Sequence, residues 1–262
     1  MKKYRDIADK FMESTAVPSI VLTPKPCDQI GITHSKFGGL PYLPANFEYP
    51  TTSDGKPLAL LAQLNFEDLP KLPNFPQSGI LQFYLLPNDA LGMDSKDGHK
   101  VIYHNTILPQ SEQMKDFPEL PILHLFEGAS QFVLEVELKQ CPMTSSNYTF
   151  DDTLEIICEE CGIDDDDDAF DEIHEILFEE LEEVVSRVGG YPYFTQSDPR
   201  EAGKGREKYD TLLFQMASHE SSDRSHEWDI IWGDVGVGNF FISLENLKDL
   251  DFSDVLYTWD CH

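Results

Sequence analysis

The chain has 262 residues, 48 acids against 19 bases and a formal charge of −29. Seventeen Phe, ten Tyr and three Trp exclude wholesale disorder, and the length can bury a full core without disulfide or metal staples. With few clustered Lys or Arg to displace counterions, neither nucleic acid nor an anionic membrane surface is an expected ligand.

From the N-terminus, Lys2, Lys3 and Arg5 are not followed by the apolar core of a signal peptide. Tyr4, Ile7, Ala8 and Phe11 fall instead on one face of a helix, and no apolar run approaches the roughly 18 residues that span a bilayer. Cys27, Cys141, Cys158, Cys161 and Cys261 are an odd, widely spread set. They are expected as reduced thiols, with a cytoplasmic location.

The next elements come twice. Ser35-Lys36-Phe37-Gly38-Gly39-Leu40-Pro41-Tyr42 returns as Ser186-Arg187-Val188-Gly189-Gly190-Tyr191-Pro192-Tyr193. Leu60 to Leu64 returns as Leu212 to Met216, and Gly79, Phe83, Tyr84 and Leu85 as Gly236, Phe240, Phe241 and Ile242. Each unit reads as a turn with positive φ at Gly-Gly, an extended connection, and two short apolar strands. The glutamine of each first strand, Gln63 and Gln215, needs partners for a buried amide and is placed to pin the neighbouring Gly-Gly loop. The repeats span about 30–90 and 181–245 and are expected to share one core in a single domain over 1–262.

Between them, Val101-Ile102-Tyr103 and Phe132 to Leu138 are strand candidates, the latter with Leu134, Val136 and Leu138 on one face and Glu135 and Glu137 on the other. The connecting segment 151–183 then holds seventeen Asp and Glu and no Lys or Arg. In its second part Phe170, Ile173, Leu177, Leu181, Val184 and Val185 recur at helical spacing, with Asp164 to Asp168 before the helix and Arg187 at its far end, both signs favourable for the macrodipole. Such a helix is either a solvated acidic face or a docking face for a basic partner. The expected fold class is therefore mainly β with a few α-helices (α+β), an antiparallel, roll-like sheet of two pseudo-symmetric repeats.

Ser35 to Pro44, Gly189-Gly190-Tyr191-Pro192, Gln196-Ser197-Asp198-Pro199-Arg200 and Trp232-Gly233-Asp234-Val235-Gly236-Val237-Gly238 together resemble the YwqG-like family of bacterial proteins. The resemblance covers most of the chain from about residue 30. It implies a predominantly β, roll-like fold and brings no catalytic residues to carry over. Some relatives lie beside polymorphic toxin genes, which implies an immunity role.

No complete catalytic set stands out. Asp164, Asp166, Asp168, Glu172 and Glu175 match EF-hand positions, but Ala169 replaces the glycine of the sharp turn and a helix competes for the segment. Cys158 and Cys161 have zinc-like spacing without a second pair. The stretch from Ser218 to His226, with His219, Glu220 and Asp223, has the profile of a hairpin loop, and Gly233 to Gly238 that of a tight turn between strands. No cofactor or metal is expected.

Two functional expectations stand side by side. The leading one is a non-enzymatic module binding a basic protein through Glu172, Glu175, Glu179 and Glu183. The alternative is a small-molecule or carbohydrate-binding protein or enzyme with a site between the repeats, lined by Tyr42, Tyr193, Gln196, Asp198, Arg200 and Asp234. For Asp198 and Arg200 an Asx-turn with the arginine clamping a loop competes with any ligand role. The oligomeric state is not legible in the sequence.

Overall fold

The computed structural model describes residues 2–163, 167–181, 184–201, 205–220 and 228–262. In chain order the elements are α1 (Lys2–Thr15), β1 (Val17–Pro26), β2 (Lys36–Gly38), β3 (Ala59–Asn65), β4 (Ile80–Leu85), β5 (His99–His104), β6 (Phe126–Glu127) and β7 (Gln131–Cys141). There follow α2 (Phe150–Glu160), α3 (Asp167–Leu181), β8 (Ser186–Val188), β9 (Thr211–Ala217), β10 (His219–Glu220), β11 (Asp229–Ile230), β12 (Val237–Ile242), α4 (Leu244–Lys248) and β13 (Leu256–Asp260).

Ten strands form one sheet in the order β13-β12-β9-β8-β1-β7-β2-β3-β4-β5, and every pair in it is antiparallel. The order is a palindrome about the β1·β7 pair. β8 meets β1 with Val188 opposite Ile20, and β2 meets β7 with Phe37 opposite Phe132. Ile20 and Phe132 are thus equivalent, and the pairs Ile20↔Leu138 and Pro26↔Phe132 obey the same two-fold relation. Each half therefore lends its first long strand to the short Gly-Gly strand of the other.

The sheet curls until its inner faces meet. Phe83 of β4 lies 4.7 Å from Phe214 of β9 and 4.8 Å from Phe240 of β12, ring centre to ring centre. These rings, with Leu61, Leu81, Leu213 and Trp232, are fully buried, at about 1.5–3 kcal/mol per large side chain. The edge strands β5 and β13 come together without a shared ladder. Side chains tie this junction instead: from β13 the Tyr257 hydroxyl donates to Leu91 O at 3.0 Å and Trp259 Nε1 to Ala90 O at 2.8 Å, both in the loop before β5, and His99 Nε2 of β5 lies 3.2 Å from Val255 O.

A second, smaller core joins α1, α2 and α3 through Ile7, Phe11, Phe150, Leu154, Ile173 and Leu177. The expected α1 face is the buried one. In the first half residues 27–35 join β1 to β2, whereas in the second residues 142–185 join β7 to β8 and carry α2 and α3. The helix read from residue 170 onward ends earlier than its spacing suggests. α3 is described over Asp167–Leu181, and Val184 and Val185 belong to no helix and precede β8. Arg187 is a buried strand residue opposite Val21, not a charge at a helix end, because pairing with β1 captures this stretch. At the other end Asp168 already belongs to α3, which removes it as an EF-hand loop ligand; Asp164 and Asp166 lie outside the described residues.

β1 shows no strand signal in sequence, because Pro18, Pro24 and Pro26 punctuate it. All three fall at even positions. Cys27 N donates to Gln131 O, so the odd residues of β1 face β7 and the even ones face away, where a missing N–H breaks no β1·β7 bond.

Candidate functional site

The two Gly-Gly turns are built alike. Gly38 and Gly39 have φ of 62° and 72°, Gly189 and Gly190 of 68° and 74°, all in the left-handed region. A Cβ on Gly39 would fall 2.7 Å from Gln131 Oε1, and one on Gly190 would fall 2.9 Å from Ser19 Cβ. The lent strand thus passes directly over the turn of the opposite half.

Buried amides hold each turn in place. Gln63 Oε1 accepts from Tyr42 N at 2.7 Å and from Gln82 Nε2 at 2.8 Å, while its Nε2 donates to Ile32 O and His34 O at 2.8 and 2.9 Å. In the second half Gln215 Oε1 accepts from Tyr193 N at 2.7 Å and its Nε2 donates to Val185 O at 2.7 Å. Gln82 Nε2 donates to Tyr42 O at 2.6 Å, and Asn239 Nδ2 does the same to Tyr193 O at 2.9 Å. The pinning role expected for both glutamines is what the structure shows.

The first half extends this network. Gln82 Oε1 accepts from the Tyr84 hydroxyl at 3.0 Å and contacts His104 Nε2 at 3.2 Å. Burial pushes His104 down to about 4, so its imidazole is neutral, and holds the Tyr84 phenol well above its ordinary value. Lys36 is buried as well, its Nζ donating to Ile32 O at 3.1 Å and Gly31 O at 3.3 Å. Burial lowers its pKa to about 8, with the nearby Cys27 acting in the opposite direction.

None of the six residues expected to line a site between the halves borders a cleft among the described residues. Tyr42 is fully buried, and its hydroxyl receives Leu108 N at 2.8 Å. Tyr193 is half-buried on the opposite half, its backbone held by Gln215 and Asn239. Gln196 is exposed and tied to the end of β13, with its N donating to Asp260 Oδ2 at 2.9 Å and its Nε2 to Cys261 O at 2.8 Å. Asp234 sits near the same end, where its carbonyl accepts from His262 N at 3.2 Å.

Asp198 and Arg200 do meet, and both are buried. Arg200 Nε donates to Asp198 Oδ1 at 3.0 Å and Nη2 to Oδ2 at 2.6 Å. The Asp198 Oδ1 also accepts from Arg200 N at 2.9 Å, which is an Asx-turn. The guanidinium reaches further, to Asn147 Oδ1 at 3.0 Å and Tyr209 O at 3.3 Å, and packs 4.2 Å above the Phe241 ring. Chemically this is a clamp: it fastens the segment leading into α2 onto β12, with the groups of both charges engaged inside the protein.

Clefts of about 270 and 280 Å3 flank the two Gly-Gly turns. The first is bordered by Leu40, Tyr49, Ile122 and Gln131, the second by Pro18, Leu72, Phe75 and Leu247, and none of the six expected residues lines either.

The acids of the helical layer face solvent. Glu172, Glu175 and Glu179 of α3 are exposed and form no ion pair among the described residues, while Glu183 lies outside them. On the inner side Arg5 pairs with Glu180, and Lys10 with Glu160 at 2.7 Å. Ile156 and Phe178 project from the same layer, 57% and 49% exposed.

Cys158 and Cys161 are free thiols. Cys158 is buried, which raises its pKa, and Cys161 receives Lys10 Nζ at 3.6 Å. His219 and Glu220, expected within a loop, form β10 and pair with β11, and His219 stacks on Trp228 at 5.2 Å; Asp223 and His226 lie outside the described residues. Among the described residues no group of three His, Cys, Asp or Glu is placed to hold a metal ion, and no helix is long and apolar enough to cross a membrane.

Sequence reasoning missed the buried Gln82, His104 and Lys36. The available signal was that Gln82 and Asn239 each follow a repeat glutamine by one strand and one loop. No curated protein matches the chain. The family model described as a domain of unknown function, DUF1963, matches residues 35–261, from the first Gly-Gly strand to the end of β13, and the chain belongs to that family.

Proposed function

We propose that this protein is a non-enzymatic interaction module that binds a basic polypeptide through the outer face of α2 and α3. The observation that carries the proposal is the composition of that face. Exposed Phe178 stands among Glu172, Glu175 and Glu179 on α3, which have no ion-pair partner among the described residues, and Ile156 is exposed on α2. The acids would speed encounter with a basic surface, and the two apolar side chains would hold the contact once water is expelled. The helical layer also keeps its own small core, so its outer face is free of any duty to the sheet. The YwqG-like resemblance, with relatives beside toxin genes, fits a basic toxin in a cytoplasmic setting as the partner.

The test is capture from the native lysate by the intact protein and by Glu172→Lys/Glu175→Lys/Glu179→Lys, followed by binding kinetics with the partner identified. The variant is expected to associate about tenfold more slowly at low salt and to lose most of the salt dependence. An unchanged association rate refutes the electrostatic role of this face.

A further inference from the structure

The middle of the sheet holds an unpaired edge. β7 pairs with β1 over its full length, Gln131 to Cys141, but with β2 only over Gln131, Phe132 and Val133. Beyond Val133 it has no second strand neighbour among the described residues. Because the odd residues of β7 face β1, the backbone N–H and C=O groups of Val136, Leu138 and Gln140 point outward along the open side. Val136 and Leu138 are also 38% and 47% exposed, on the side of the strand that carries core residues nearer its start. The alternation seen in the sequence is present, but its apolar row runs out past the core.

The two-fold relation supplies an internal comparison. The β1 residues equivalent to Val136 and Leu138 are Pro24 and Pro26, and Lys25 lies between them. Prolines at these even positions remove the outward N–H groups, and a lysine discourages pairing, two devices by which proteins blunt a sheet edge. One long strand of the sheet is blunted and its twin is open.

We infer that β7 receives an additional antiparallel strand along Val136 to Gln140, donated by an extended segment that alternates apolar and basic side chains. The choice of a basic donor rests on the function proposed above. Main-chain bonds would supply affinity, and apolar side chains of the incoming strand would cover Val136 and Leu138. Its basic side chains would fall on the face of Glu135 and Glu137. Both are exposed, and their present partners Lys25 (2.6 Å) and Lys139 (3.5 Å) form surface pairs of small worth that exchange readily. A second copy of this chain is the poorer occupant: pairing β7 with itself about Glu137 sets Glu137 opposite its own copy, which the Glu135–Lys139 pairs on either side only partly offset, and joins two molecules of −29 each.

The test uses the full chain and a capped synthetic peptide alternating valine and lysine, with a block-sequence isomer of equal charge, read by fluorescence anisotropy and by amide hydrogen exchange. The wild type is expected to bind the alternating peptide about tenfold tighter than the isomer, and the Val136 and Leu138 amides to exchange at least tenfold more slowly in its presence. Val136→Pro/Leu138→Pro copies the natural β1 edge and should abolish that preference while keeping the melting transition. Glu172→Lys/Glu175→Lys/Glu179→Lys should weaken both peptides alike. No preference in the wild type, no amide protection, or a preference that survives the proline variant overturns the added strand. A triple-lysine variant that binds both peptides as wild type does counts against the acidic-face proposal and leaves the edge standing.

Discussion

The two repeat glutamines offer a prediction with its own control. Gln63→Leu keeps the side-chain size but removes four hydrogen bonds, those with Tyr42 N, Gln82 Nε2, Ile32 O and His34 O. Gln215→Leu, at the equivalent place, removes two, with Tyr193 N and Val185 O. At about 1 kcal/mol for each bond lost in a buried setting, the expected costs are about 4 and about 2 kcal/mol. For a chain of this size each kcal/mol moves the melting point by about 2–4 °C, so the first variant should melt about 12 °C and the second about 6 °C below wild type. Urea unfolding followed by tryptophan fluorescence, with a thermal melt beside it, measures both. Equal losses, or a larger loss at Gln215, would show that the amides are not what fastens the turns.

Two further outcomes follow from the buried charges. Asp198→Ala strands Arg200 without its carboxylate and should cost about 3–5 kcal/mol in urea unfolding, whereas Asp198→Leu combined with Arg200→Met should cost less than the single change. His104 is neutral when folded, with its pKa lowered to about 4 by burial, but titrates near 6.5 when unfolded; stability is therefore full above pH 6.5 and falls, by up to about 3 kcal/mol, as the pH drops toward 4. His104→Gln should flatten that part of the stability–pH curve relative to wild type.

The sequence made the paired parts legible and hid the parts that depend on long-range partners. Gly38-Gly39 and Gly189-Gly190 announce their turns because only glycine tolerates both the positive φ and the strand passing overhead. Gln63 and Gln215 stand out because an amide inside an apolar run must find partners. β1 is invisible because its prolines are harmful only to a strand bonded on both sides, and which side is free depends on β7, more than a hundred residues away. The end of α3 was overrun for a related reason. Val184 and Val185 continue the helical spacing, but β8 is claimed by β1. Asp198 and Arg200 were found as a pair, and burial turned the pair inward; nothing local reports that Phe241 and Asn147 arrive to enclose it.

The exchange of long strands between the halves bears on how such a sheet could arise and be made. A lone half, ending before β7, would carry a first strand with no short strand to receive it and a short strand with no lent neighbour. Two separate copies related by a rotation axis would satisfy both needs and close the same palindrome, so the single-chain form is equivalent to a tethered dimer. Tethering removes any dependence on protein concentration, but it postpones completion. Ile20 cannot meet Val188 until most of the polypeptide has left the ribosome, and until then β1 is the waiting edge of the half-sheet β1-β7-β2-β3-β4-β5.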